Sequence, residues 1–389
     1  MIEDLNLSKI DHNEILARIK AISPGLAANA NASDELRHLA PESMRAMIDA
    51  GMFKIPVPAR VGGYELNLRT LAAAVTGLSE ACPSSGWVLM VMGAHHWCMG
   101  SFPEAAQEDV FGGRHEGLLA GTLSWQGTAT DVDGGYRIDG RWQFGSGIDH
   151  AEWVMLGCGD PATRGPKVHI VMPRADIDVD DTWHVLGLRG SGSKDLVANG
   201  VFVPARRTID TRTMFAGMSP HSANHATNLY KLSAEAMLSM SVATAVLGSA
   251  KYALAKFIER TSQRTVIQTG ARKAEQAPTQ IRLAEAAAEI HAAELIQRDS
   301  YDVFDSFMAS GERMSFADRA RIRWQASYSA ELCRRAATRL YSGSGAHSIY
   351  ESSAIQAAFR NVNVGAQHAS IDFDTAAEMY GRAQFGATK

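Results

Sequence analysis

From residue 228 to its end the chain keeps one periodicity, and that constrains the fold more than any other feature. Residues 228–260 read as a single alanine- and leucine-rich helix, about 50 Å long at 1.5 Å per residue. Gly270 and Pro278 mark the loop that follows. A second long helix is expected over about 279–308, a third over about 315–341 and a last one after Ser352. Four long helices in succession imply an antiparallel bundle, because none can bury its apolar stripe alone.

Between residues 117 and 206 the period switches to two, with turns at Asp133-Gly134-Gly135 and Arg189-Gly190-Ser191-Gly192, which predicts a β-barrel or sandwich. Its first strand is expected over 118–125. Tyr136, Ile138, Gly140, Trp142 and Phe144 alternate around a glycine turn, the pattern of a β-hairpin with one buried face. Gly145-Ser146-Gly147 then interrupts the second strand, and glycines inside a strand mark a bulge or the close approach of a backbone or ligand. Trp142 and Trp153 bracket that lone hydroxyl, either as core residues or as walls for a planar ligand.

Upstream, Ile15, Leu16, Ile19 and Ile22 carry helical spacing over 11–28, and Pro41 and Gly51 bound a second helix. Residues 53–64 form an extended, proline-stiffened loop with a glycine turn. Helices follow over 68–81 and 84–99, the latter capped by Ser84 behind Pro83. It is apolar nearly all round and must be buried, so His95 and His96 near its end need partners: a core contact, the helix dipole, or a substrate.

At 389 residues the chain calls for two or three domains, read as N-terminal helices over 1–115, a β-barrel over 116–212 and a four-helix bundle over 213–389. Lys plus Arg (38) nearly balances Asp plus Glu (42) without long like-charge runs, which argues against nucleic acid. Cys82, Cys98, Cys158 and Cys333 show neither disulfide-framework nor zinc spacing, so no metal is expected and a reducing, cytoplasmic setting fits. The acidic N-terminus lacks a signal-peptide core, and the apolar run 86–94 is too short to span a bilayer. No GxGxxG joins a strand to a helix, which leaves no evident nicotinamide site. Residues 187–194, GLRGSGSK, imitate a phosphate loop, but the lysine comes one residue late and a strand follows instead of a helix. Ser146 between glycines invites a hydrolase reading, yet it lies in a β stretch and not at a strand-to-helix elbow.

Trp142, Ser146-Gly147 and Ala151-Glu152-Trp153, with the glycine turn before them, resemble the central motif of flavin-dependent monooxygenases with an acyl-CoA dehydrogenase fold. The GLRGSGS turn is similar to that family's, as is the order Gly343, Gly345, Arg360-Asn361, His368. The resemblance implies an α+β acyl-CoA-dehydrogenase-like fold, assembled as a homotetramer. It also implies hydroxylation of a small phenolic or indolic substrate through a flavin hydroperoxide made from O2 and reduced flavin (FADH2 or FMNH2). A separate NAD(P)H:flavin reductase would supply the flavin.

By the same resemblance Ser146 contacts flavin N5 with Gly147 beside it, and Ser124 and Trp125 lie along the ring. Arg264 reaches a flavin phosphate across a subunit interface, Gly343 and Gly345 complete the cofactor set, and His95 or His96 faces substrate. His368 acts beside flavin C4a as base or hydroperoxide stabiliser, and Trp87, Met92, Trp97 and Trp125 exclude water. Three alternatives stay open: an acyl-CoA dehydrogenase, an N- or S-oxygenating relative, and a helical partner-binding protein without flavin. Ile349-Tyr350-Glu351 copies the dehydrogenase base motif but precedes Arg360, so Glu351 is expected to be a helix-start acid.

Overall fold

A computed structural model describes residues 10–113, 116–265 and 270–388. Six helices open the chain: α1 (His12–Ala28), α2 (Ala30–Leu36), α3 (Pro41–Asp49), α4 (Leu68–Ala81), α5 (Pro83–Met99) and α6 (Glu104–Phe111). Asp11 caps α1 by accepting from the Glu14 N–H, and Asn67 does the same for α4 at Thr70. The cap of α5 differs from expectation. Pro83 already occupies the first turn, where its fixed φ suits a helix, so the cap position moves back to Cys82 and Ser84 lies inside. All but one residue of α5 is buried, Val91 being the exception. The loop over 53–64 is wound into two short 3-10 turns and is less extended than its prolines suggest.

Seven strands follow: β1 (Leu119–Val132), β2 (Gly135–Gly145), β3 (Trp153–Gly159), β4 (Pro166–Pro173), β5 (Asp178–Asp180), β6 (Lys194–Pro204) and β7 (Thr208–Asp210). They do not close into the expected barrel. Their order is β5-β6-β2-β1-β3-β4-β7, an open sheet. Closure would require β5 to pair with β7, and each is only three residues long. The hairpin also differs from its sequence reading. The turn between β1 and β2 is at Asp133-Gly134, and β2 runs straight through Gly140, where the pairing with β6 slips. Gly140 is therefore a bulge inside a strand. Phe144 adopts a left-handed φ of 70° that takes it out of the alternation, leaving it 60% exposed while Ile138 and Trp142 are fully buried.

After α7 (Thr211–Phe215) come α8 (Ala234–Ser262), α9 (Ala277–Ser310) and α10 (Phe316–Ser342), the three long helices expected from the periodicity. The fourth is shorter than expected: α11 (Ala354–Gly365) stops, a 3-10 turn intervenes, and α12 (Phe373–Gln384) follows. Ser315 and Asp318 form a capping box at the start of α10. By length and composition α8 could cross a membrane, but 78% of its apolar stretch is buried among the other helices. One large core joins α4, α5, α8, α10 and α11, and a second fills one face of the sheet around Trp142.

Candidate functional site

Gly145 pairs with Lys194, so Ser146 and Ser193 fall side by side where β2 ends and β6 begins. Their hydroxyl oxygens are 2.6 Å apart, and the Ser193 oxygen lies 2.7 Å from that of Ser191. The Gly147 N–H donates to the Ser191 carbonyl at 2.9 Å, which locks the two turns together. Gly147 has a φ of 77°, and a Cβ there would stand 2.9 Å from the Met92 sulfur, so this turn is pressed onto α5. From α5, Trp87 Nε1–H donates to the Ser146 hydroxyl at 3.3 Å.

The same indole meets His368 edge to face, with ring centres 5.9 Å apart. Trp87 thus joins the two residues that the sequence singled out at opposite ends of the chain. His368 caps the 3-10 turn after α11, where its Nδ1 accepts from the Ser370 N–H at 3.2 Å. An accepting Nδ1 leaves the ring proton on Nε2, so His368 presents a donor there. The ring is reached by solvent yet surrounded by protein, and the resulting desolvation lowers its pKa to about 4.

The 186–193 turn is clamped from three sides. Arg360 Nη1 donates to the Leu186 carbonyl at 2.8 Å, and the Asn361 Oδ1 accepts from the Leu188 N–H at 2.7 Å. Asp34 of α2 accepts from the Gly190 N–H at 3.3 Å, and a Cβ on Gly190 would be 3.0 Å from Ser84 of α5. The Arg360-Asn361 pair therefore acts on the turn that carries Ser191 and Ser193. Neither serine was read from the sequence as part of a site. A Gly-Ser-Gly-Ser string before a strand looks like punctuation, and only the pairing of β2 with β6 brings it to Ser146.

His95 and His96 separate clearly. His96 accepts from the Leu119 N–H at 3.1 Å through Nε2 and donates from Nδ1 to the Phe53 carbonyl at 3.0 Å, so both ring nitrogens are engaged. His95 donates from Nδ1 to the Val91 carbonyl at 2.6 Å, while its Nε2 is buried without a partner. Burial lowers the pKa of each to about 4, so that orphan Nε2 is a lone-pair acceptor.

Trp142 is a core residue: fully buried, it donates from Nε1 to the Gly157 carbonyl at 2.7 Å. Trp153 lies under the Arg207 guanidinium at 5.0 Å and packs in a different core from Trp142. Trp97 is likewise sealed in the core, donating to the Leu229 carbonyl. The β1–β3 pairing breaks between Thr122 and Gly127, and the bulge leaves Ser124 exposed and Trp125 45% exposed. Gln126, in that bulge, accepts from the Gln143 N–H beside Phe144, so two accessible aromatic surfaces stand on neighbouring strands.

Arg264, Gly343 and Gly345 also come together. Arg264 Nη1 donates to the Ser344 carbonyl, and a cleft lined by Arg260, Gln263, Arg264, His347, Tyr350 and Ser353 adjoins them. Glu351 stands apart, 80% exposed at its side chain and 3.7 Å from Arg189. It precedes α11 by two residues beyond the cap and faces neither Ser146 nor Trp87 in any hydrogen bond among the described residues. No group of metal-binding side chains occurs among the described residues.

Helices before an open sheet and a helical bundle behind it, with a buried serine hydroxyl at their meeting point, define an acyl-CoA dehydrogenase-type chain. The family descriptions agree: the acyl-CoA dehydrogenase N-terminal domain matches residues 12–110 and the C-terminal domain residues 240–373. The chain is 31% identical over 377 residues to the flavin-dependent monooxygenase oxygenase subunit HsaA of Rhodococcus jostii (strain RHA1), covering 95% of this chain and 98% of that protein. It is 30% identical to an FADH(2)-dependent resorcinol hydroxylase oxygenase component of Rhizobium sp. (strain MTP-10005), with 96% and 95% covered. The solved structure of XiaF from Streptomyces sp., in complex with FADH2 and glycerol, superimposes with a TM-score of 0.88 at 28% identity, over 97% of this chain and 96% of that one. The protein therefore belongs to the family of flavin-dependent monooxygenase oxygenase components, oxidoreductases on the acyl-CoA dehydrogenase frame.

Proposed function

We propose that this protein hydroxylates a small phenolic or indolic substrate with O2 and reduced flavin, the flavin arriving from a separate NAD(P)H:flavin reductase. The observation that carries the reading is the pairing of Ser146 and His368 through Trp87. The residues fit a flavin. Ser146 has hydrogen-bonding capacity left beyond Trp87 and Ser193, and Trp125 and Phe144 offer accessible aromatic faces on adjoining strands. The resorcinol hydroxylase and the FADH2-bound neighbour support reduced flavin as the cofactor.

When bound, the reduced flavin supplies the electrons that activate O2. The chain's own residues do the rest. Ser146 would hold the cofactor by its hydroxyl, with Gly147 keeping the turn close to α5, and Ser124 and Trp125 would lie beside it. His368 would offer its Nε2–H as a hydrogen-bond donor to an oxygen of the bound reactants, a role that its low pKa would keep unchanged through neutral pH. The orphan Nε2 of His95 takes the O–H of a phenol or the N–H of an indole, either of which would relieve a buried unpaired acceptor. His96 supports this arrangement from the core. Arg264, with Gly343 and Gly345, forms the phosphate end of the cofactor site, shared across a homotetramer interface; light scattering that returned a single-chain mass would remove this part. Residues 1–115, 116–212 and 213–389 are read as the three units, and a cytoplasmic setting suits supply from an NAD(P)H-driven reductase.

Anaerobic titration of the purified protein tests the reading. Reduced flavin should bind more tightly than oxidised flavin. Tighter oxidised flavin that bleaches on addition of an acyl-CoA would replace it with a dehydrogenase.

A further inference from the structure

Trp183, on the segment between β5 and the 186–193 turn, is only 8% exposed, yet it belongs to neither of the two hydrophobic cores. Its burial therefore comes from a few particular neighbours. The indole Nε1–H donates to the Leu188 carbonyl at 3.2 Å, and the ring meets Phe144 edge to face with centres 6.2 Å apart. Both neighbours hold left-handed backbone, with φ 53° at Leu188 and 70° at Phe144, which a residue with a Cβ keeps only when its surroundings impose it.

These two residues stand on either side of Ser146. The Phe144 carbonyl accepts from the Ser146 N–H at 2.9 Å. The Leu188 carbonyl, besides taking the Trp183 N–H, accepts from the Ser191 N–H at 3.0 Å, and the Ser191 carbonyl in turn accepts from Gly147. Trp183 is thus tied to the glycine-flanked serine turn from both ends. The left-handed residue also decides which way a side chain faces. Ile138 and Trp142 on the same strand are fully buried, whereas the Phe144 ring is 60% exposed beside a Ser146 that is 3% exposed. Backbone strain that exposes an apolar ring does not stabilise the fold by itself, so the use of that ring lies in what covers it.

We propose that Trp183 is a positioning residue, which holds Phe144 as an aromatic wall for the flavin that Ser146 binds. The proposal rests on the flavin reading given above. Trp183 acts through Phe144 alone. A merely structural tryptophan would differ, because its loss would loosen the 186–193 turn and weaken binding whether or not the Phe144 ring were present.

The experiment is a double-mutant cycle read by anaerobic titration with reduced flavin: wild type, Trp183→Leu, Phe144→Ala and the double variant, with circular dichroism to establish folding. Phe144→Ala should weaken binding about 2- to 13-fold, the worth of one aromatic contact. Trp183→Leu should weaken it by about twofold or more without exceeding Phe144→Ala, and the double variant should bind like Phe144→Ala. Unchanged affinity in either single variant overturns the proposal, as do additive losses in which Trp183→Leu weakens binding equally with and without the Phe144 ring. Phe144→Tyr, which keeps an aromatic face, should bind within about twofold of wild type, and a loss as large as that of Phe144→Ala overturns the wall.

Phe144→Gly gives a second readout, taken without flavin. Glycine adopts a φ of 70° freely and alanine does not, so the thermal midpoint of Phe144→Gly should equal or exceed that of Phe144→Ala, the reverse of the order in a relaxed strand. The ordinary order overturns the strain on which the positioning depends. Should Trp183→Leu not fold, Trp183→Met takes its place in the cycle under the same criteria. A wild type that binds neither reduced nor oxidised flavin removes the flavin reading and this proposal with it, whereas a failed cycle on a flavin-binding wild type removes the proposal alone.

Discussion

His368 donates at Nε2 because Ser370 fixes the tautomer, and its pKa of about 4 keeps it neutral throughout the range in which such an enzyme is assayed. A group this acidic when protonated is a poor base at neutral pH, so its contribution is that of an aimed hydrogen-bond donor. His368→Ala should still bind reduced flavin but lower hydroxylated product per reduced flavin by about 10²–10³-fold, the usual loss for removing one such donor. His368→Gln, which keeps an N–H, should recover part of it, and Glu351→Gln should change little. If Glu351→Gln abolished turnover and His368→Ala spared it, the roles of these residues would be exchanged. Ser146 and His368 were legible in the sequence because glycines isolate one and the resemblance carries the other. Ser191, Ser193 and the bridging role of Trp87 were not. Their significance is a matter of distances between strand ends and a helix, which no local spacing records.

At the scale of elements, a long helix is legible in the sequence and a strand irregularity is not. Long apolar periodicity fixes both ends of α9 and α10 closely, since a buried stripe must persist along a helix, whereas α8 begins only at Ala234, behind a 3-10 turn at Leu229–Lys231, and not at the expected residue 228. A glycine in an alternating stretch is ambiguous between turn and bulge. Gly140 became a bulge because β1 and β2 cross closely there: a Cβ on Gly140 would stand 2.5 Å from the Cα of Gly127. Gly127 in turn lies flat against Trp142, and a Cβ on it would fall 1.9 Å from the ring. Gly127→Ala should therefore push the indole off its bond to the Gly157 carbonyl and destabilise the fold by about 1–3 kcal/mol or more. Urea denaturation reads this as a lower midpoint at constant slope; an unshifted midpoint would mean that the sheet yields at this crossing.

Among the described residues, burial lowers the pKa of five histidines in addition to His368: His95, His96, His169, His150 and His225. The shift is largest at His95, His96 and His169, whose pKa falls to about 4, well below the ordinary value of 6.5. The unfolded chain binds protons at these sites more readily than the folded one, so stability rises with pH between about 4 and 6.5 and is lost on acidification through that window. Each group contributes a slope of up to about 1.4 kcal/mol per pH unit. The thermal midpoint should hold steady above pH 7 and fall steeply from pH 6.5 toward 4. The paired carboxylate of Asp181, whose pKa is held below 3.8 mainly by Arg37, acts only at lower pH. A level midpoint from pH 6.5 to 4.5 would show that the buried imidazoles tolerate charge.

The open sheet has one more consequence. Unclosed edges carry spare backbone donors and acceptors, on which neighbouring chains can stack into fibrils. Here the outermost strands are three residues each, too short to template a partner. One of them sets exposed Asp178 and Asp180 along its rim, with Asp180 tied inward to Arg141, and the other runs at once into α7, whose first turn Asp210 caps. Brevity at both margins thus guards against fibril growth in the way that closure guards a barrel.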